Sequence, residues 1–229
     1  MICLVTDRRS LLDGGGGAAA GGSGAWRACL AAQVRYAVDA GVDLIHVRER
    51  DLDAGALAAL VAELLAVAAH TRTRIVVNDR LDVALACGAD GVHLRGDSIP
   101  VSAARQLAPK GFLVGRSVHG VEGAAAAAGA DYLIAGTVFT SASKPAATPL
   151  LGIEGLKAIV RAVDCPVLAI GGITGDRIAE VAAAGAAGFA AIGLFTADRT
   201  EANTGCRAAE LRQIVTRARA PFDRLNTTP

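Results

Sequence analysis

Apolar residues in this chain fall in short runs, and most of the runs end in the same kind of polar cluster. IHVRER (45–50), IVVNDR (75–80), VHLRGD (92–97), LVGRSVH (113–119), LIAGTVFTSASK (133–144), LAIGGIT (168–174) and AAIGLF (190–195) share this form. Apolar runs of this length without alternation predict strands covered on both faces, the condition of parallel strands under helices. Eight are expected, at 2–5, 44–47, 75–77, 91–94, 112–114, 132–135, 167–170 and 189–192. Between them, Ala/Leu/Val-rich segments with helical spacing cover 26–40, 54–69, 81–86, 101–107, 121–128, 153–163, 176–184 and 206–218.

The punctuation agrees. Gly41, Gly88, Gly129 and Gly185 each follow a helical run and open a related phrase, GVD, GAD, GAD and GAA. The phrase predicts a recurring helix-to-strand turn in which the glycine takes positive φ. Pro100 sits near a helix start, where its missing N–H costs little. Eight strands alternating with eight helices predict an α/β fold, a single (β/α)8 TIM barrel over residues 1–218, with a doubly wound open sheet as the alternative. The Gly/Ala/Ser tract 13–24 is expected to be a flexible loop insertion, since it lacks the GxxxxGK[ST] pattern. Residues 219–229 read as a loose tail.

Composition narrows the function. Of 229 residues 52% are hydrophobic, 3% are aromatic, and the formal net charge is +1. No basic face for nucleic acid and no base-stacking platform are implied. The opening apolar run is too short for a signal peptide, and no run approaches a membrane span, so a soluble cytoplasmic protein is expected. The five cysteines are odd in number and lack CxxC spacing, which argues against a disulfide framework or a zinc site. The oligomeric state stays open, a homo-oligomer included.

A barrel enzyme carries its reactive groups on the loops that follow the strands. Alternation puts His46, Arg48 and Arg50 on one face, where the two guanidiniums suit a phosphate or carboxylate; a strand-end salt bridge with Glu49 or Asp51 is the plainer reading. Asn78 and Asp79 are suited to a divalent cation or to capping the next helix. Asp97 either joins Asp79 at a metal or is a turn residue. Ser117 and His119, two apart, are candidates for acid–base work, although a single histidine is often structural. Ser141, Ser143 and Lys144 form a hydroxyl-rich anion loop, in a chain with only three lysines. Gly171, Gly172 and the Ile192-Gly193 pair offer backbone N–H groups to a phosphate at the last two strands.

Together these motifs resemble the thiamine phosphate synthase/TenI superfamily over about residues 2–196. VNDRLDVALACGADGVHL is similar to its third and fourth β/α units, GTVFTSASKP to its hydroxyl-and-lysine loop, and AIGGIT to its thiazole-phosphate loop. The resemblance implies a (β/α)8 barrel acting on a thiazole phosphate in thiamine biosynthesis. Two activities share it. The synthase joins hydroxymethylpyrimidine diphosphate to thiazole phosphate with Mg²⁺; the TenI-type tautomerase aromatises a carboxythiazole phosphate without a metal. The synthase pattern is Gln-x-Arg-x-Lys where this chain has His46, Arg48 and Arg50. It carries a metal-binding Asp at the slot of Ser98, with Asp97 one residue away. Asn78, Asp79, Ser117 and the Ser141, Ser143, Lys144 set match it. IHVRER and GRSVH look more like TenI, so the leading expectation is a thiazole tautomerase that needs no cofactor, with His119 as acid/base and Ser117 positioning the substrate. The alternatives are a synthase with Mg²⁺ on Asp79 and Asp97, and a non-catalytic ligand-binding barrel.

Overall fold

The computed structural model describes residues 1–12, 25–140, 149–196 and 204–225. Eight strands, β1 (Ile2–Val5), β2 (Leu44–Val47), β3 (Arg74–Asn78), β4 (Gly91–Leu94), β5 (Leu113–Val118), β6 (Tyr132–Gly136), β7 (Val167–Ile170) and β8 (Gly188–Ala191), pair in chain order. Every pairing is parallel, and β8 closes on β1. The helices are α1 (Arg8–Leu12), α2 (Ala25–Asp39), α3 (Ala54–Ala68), α4 (Leu81–Ala86), α5 (Val101–Leu107), α6 (Val121–Ala125), α7 (Gly152–Ala162), α8 (Ile178–Ala183) and α9 (Thr204–Leu225). The expected (β/α)8 barrel is therefore the fold.

Period-two alternation sorts each strand between two cores. On β1, Ile2 and Leu4 face the helices, whereas Cys3 and Val5 face the barrel interior with Leu44, Val76, Tyr132, Ile134, Leu168 and Ala190. Both faces are dry, which is why the strands read as unbroken apolar runs.

The repeated glycine phrase does what its composition predicts, and more. Gly41, Gly88, Gly129 and Gly185 have φ between 66° and 86°. The aspartate two residues later in three of them accepts a backbone N–H at the start of the preceding strand. Ile2 N–H donates to Asp43 at 2.7 Å, Ile75 N–H to Asp90 at 2.8 Å, and Val114 N–H to Asp131 at 2.6 Å. The turn thus sets strand register as well as chain direction.

Several boundaries differ from expectation. A short helix, α1, precedes the 13–24 tract, which lies outside the described residues. The helix expected at 176–184 is a 3₁₀ turn, Gly175–Arg177, followed by α8. Strand β5 runs on to Val118, so Ser117 stands on the strand and not after it. Helix α9 continues to Leu225, so that 219–225, read as tail, are helical. The cause is Phe222, which is buried and packs on Phe189 with ring centroids 6.2 Å apart, and Arg219, which donates to Asp43 at 3.0 Å.

Candidate active site

The carboxyl ends of the strands open into a cavity of about 1600 Å³. Arg48, Arg50, Asn78, Asp97, Ser117, His119, Gly171, Gly172, Ile192 and Gly193, all picked out from the sequence, line it. Asp79 opens instead onto an adjoining recess of about 200 Å³ that shares Arg50, Asn78 and Arg95 with the main cavity. Ser141, Ser143 and Lys144 lie outside the described residues.

The plain salt-bridge reading of the β2 end fails for a specific reason. Glu49 and Asp51 are both occupied by the β1 loop. Arg8 donates to Glu49 at 3.1 Å and to Asp51 at 2.5 Å, and Arg9 to Asp51 at 2.8 Å. Thr6 adds its hydroxyl to Glu49 at 2.7 Å while accepting the Arg48 N–H at 2.9 Å. Among the described residues, Arg48 and Arg50 have no carboxylate partner. They are two cations without a direct ion pair at one end of the cavity, and burial, then Arg50, draws the Arg48 pKa down against the opposing pull of Asp7 and Glu49. Such a pair suits a multiply charged phosphate.

Capping does not account for the β3 end. Helix α4 has no side-chain cap. His46 Nε2–H donates to Asn78 Oδ1 at 3.2 Å, and Asp79, at φ 62°, accepts the Ser98 hydroxyl. Asp97 and Asp79 do not meet as a bare carboxylate pair. Arg95 stands between them, 2.5 Å from Asp97 and 3.7 Å from Asp79. Arg116 fixes this β4 loop by donating to Gly96 O at 2.9 Å and Ile99 O at 2.6 Å.

Deeper in the barrel lies a polar layer in which sequence reading missed His93 and Tyr132. His46, His93 and Tyr132 come from β2, β4 and β6, the alternate-strand rule of barrel interiors. The His46 and His93 rings are 4.5 Å apart. His93 bonds Tyr132 Oη at 3.1 Å through Nδ1 and Ser117 Oγ at 2.8 Å through Nε2. Burial drives the His46 pKa down to about 3 and the His93 pKa down as well, so both rings are neutral. The signal was a histidine inside the apolar run GVHL. His119, by contrast, is exposed and lines the cavity; its Nδ1–H donates to Gly136 O, so Nε2 is not the atom spent on that bond.

The opposite end is glycine backbone. Gly171 and Gly172 have φ of 102° and 63°. Among the described residues, the N–H groups of Gly172 and Gly193 have no acceptor. Unspent N–H groups at the ends of β7 and β8 are chemically suited to an anion.

Comparison with known proteins agrees with this geometry. The family model described as thiamine monophosphate synthase matches residues 21–195. A thiamine-phosphate synthase of Methanoregula boonei is 44% identical over 190 residues, 82% of this chain and 87% of the relative. Another, of Anaeromyxobacter dehalogenans, is 45% identical over 163 residues, 70% of this chain and 73% of the relative. Among solved structures, a thiamine phosphate pyrophosphorylase from Pyrococcus furiosus has a TM-score of 0.74 at 32% identity, covering 95% of this chain and 96% of that one. These relatives overturn the leading expectation of a TenI-branch tautomerase, since they carry the synthase name. Two of the residues that pointed to TenI weigh less in the structure than in the sequence. His46 is a buried neutral ring spent on Asn78, and Arg50 keeps a positive charge where the synthase pattern has lysine. The chain is an enzyme of the thiamine phosphate synthase/TenI superfamily and belongs to its thiamine monophosphate synthase family.

Proposed function

We propose that the protein joins hydroxymethylpyrimidine diphosphate to thiazole phosphate, releasing diphosphate. The observation that carries this reading is two sets of anion-suited donors in one cavity. Arg48 and Arg50 stand freed of their neighbouring carboxylates at one end, and the Gly172 and Gly193 N–H groups stand at the other. A reaction between two phosphorylated partners needs two such sets facing one reaction space. The thiazole nitrogen forms a bond to the pyrimidine methylene carbon as that carbon's bond to the diphosphate oxygen breaks, and diphosphate leaves with the electron pair.

In this reading Arg48 and Arg50, with Ser141, Ser143 and Lys144, take the diphosphate, and Gly171, Gly172, Ile192 and Gly193 take the thiazole phosphate. Ser117 and His119 Nε2, which has no partner among the described residues, supply hydrogen bonds between the two. The donor set at Asp79 fits magnesium, which takes one or two carboxylates and leaves its other positions to water and substrate phosphate. The Asp79 carboxylate and the Ser98 hydroxyl oxygen bonded to it are hard ligands beside Arg50, whereas Asp97, paired with Arg95 on the β4 loop, stands apart from them. When bound, the ion neutralises charge that develops on the leaving diphosphate.

The test is to incubate the protein with hydroxymethylpyrimidine diphosphate, thiazole phosphate and Mg²⁺ and to follow thiamine phosphate and diphosphate together. Equimolar formation of both is expected. A folded protein that forms neither overturns the proposal.

A further inference from the structure

We infer that Tyr132 and His93 are positioning residues that lock Ser117 as a hydrogen-bond donor into the cavity. The inference about catalysis rests on the synthase reading above; the proton arrangement does not.

The arrangement follows from counting donors and acceptors. Tyr132 is 1% exposed, and among the described residues its hydroxyl has His93 Nδ1 as its one partner. If His93 donated from Nδ1, the phenol oxygen would accept and the phenol hydrogen would be buried with no acceptor, a costly outcome. The phenol therefore donates to Nδ1. A neutral imidazole with Nδ1 accepting carries its proton on Nε2. That proton points at Ser117 Oγ, 2.8 Å away. With an oxygen lone pair taken, the Ser117 hydrogen is free to turn toward the cavity that the side chain lines. The alternative tautomer would make Ser117 the donor to His93 and take that hydrogen away from substrate.

A glycine shows that the chain makes room for this contact. In the barrel register His93 pairs with Gly115, and Gly115 with Tyr132, so the phenol reaches the imidazole across the intervening strand. A Cβ at position 115 would lie 2.2 Å from Tyr132 Cζ and 2.6 Å from His93 Nδ1. Only glycine leaves the gap that the hydrogen bond crosses. Burial holds Tyr132 in its protonated form, consistent with its role as donor.

The test has two arms. In ¹⁵N-histidine-labelled protein, with His93→Gln used to assign the resonance, the imidazole shifts of His93 should show Nε2 protonated and Nδ1 bare. Tyr132→Phe should then mix the tautomers. In turnover, Tyr132→Phe should lower kcat about tenfold, the worth of one oriented hydrogen bond, with each KM within about twofold. In a Ser117→Ala background the same change should have no further effect. A His93 protonated at Nδ1 in the wild type overturns the inference, as does a Tyr132→Phe effect that persists without Ser117. Should the wild type form no thiamine phosphate, the synthase reading falls, and the NMR arm alone decides the tautomer.

Discussion

Ser98 gives its hydroxyl hydrogen to the Asp79 carboxylate, across the ends of β4 and β3. The same Ser98 oxygen accepts the Arg95 N–H at 2.9 Å, so the hydroxyl is fixed from both sides. The synthase pattern has a carboxylate at this slot, and the consequence is chemical. A hydroxyl adds an oxygen ligand without adding charge, so any magnesium here depends on Asp79 and on the substrate's own phosphates. Asp79→Asn should reduce thiamine phosphate formation by at least about 100-fold while the barrel stays folded. Ser98→Asp should lower the Mg²⁺ concentration for half-maximal rate, by roughly tenfold. Magnesium titrations of diphosphate release check both, and an unchanged Mg²⁺ dependence in the two variants would remove Asp79 from the metal site.

The β1 loop has a similar indirect role. Arg8 holds a Glu49 whose side chain is 2% exposed, and Arg8→Ala leaves that carboxylate with Thr6 and backbone N–H alone. Removing one partner of a buried pair costs about 3 kcal/mol, at the lower end of the range because those two bonds remain. Urea denaturation should show that loss. The Glu49 carboxylate, relieved of Arg8, should also turn on Arg48 and Arg50, while Asp51 keeps Arg9, so KM for the pyrimidine diphosphate should rise while KM for thiazole phosphate holds. Equal rises in both would mean that the loop acts only through stability.

Much of this molecule could be read before folding it. Strand positions were legible because both faces of most strands are dry, which leaves an unbroken apolar run such as Ile2–Val5 or Val167–Ile170. Gly41 and Gly88 were legible because a left-handed turn needs glycine whatever surrounds it. The aspartates beside them were not, since Asp43 and Asp90 work by reaching N–H groups 41 and 15 residues away in the chain. Arg48 and Arg50 were legible by alternation, but not the fate of Glu49, which depends on Arg8 arriving from another strand. His93 and Tyr132 looked like core because they are core; their meaning lies in a contact between β4 and β6 across Gly115.

The buried histidines set an acid limit. His46, with its pKa driven to about 3 from 6.5, cannot take a proton in the folded barrel, whereas the unfolded chain can. The unfolded state therefore binds more protons below pH 6.5, and stability falls as pH drops from there toward 3. From pH 7.5 to pH 5 the loss from His46 alone is about 2 kcal/mol, and His93 adds to it in the same direction. His46→Gln should remove its share of the slope and can still bond Asn78. Urea midpoints measured across this range decide the matter, and a flat profile for the wild type would show that these rings are not neutral in the fold.

Gly172 and Gly193 separate packing from binding at the proposed thiazole-phosphate seat. A Cβ at Gly172 would lie 2.3 Å from the Thr140 carbonyl oxygen, on a backbone with φ of 63°. Gly172→Ala should therefore cost at least about 2 kcal/mol, from left-handed strain and overlap together. Among the described residues a Cβ at Gly193 meets nothing within 4 Å, so Gly193→Ala should change stability by no more than about 0.5 kcal/mol. That open space is where a phosphate must come close to accept the Gly193 N–H. The added methyl should then raise KM for thiazole phosphate about tenfold, the loss of one charge-assisted hydrogen bond, and leave KM for the pyrimidine diphosphate alone. Kinetics on a variant with unchanged melting behaviour make the comparison clean. If Gly193→Ala binds thiazole phosphate as the wild type does, the seat at the end of β8 is not where the phosphate rests.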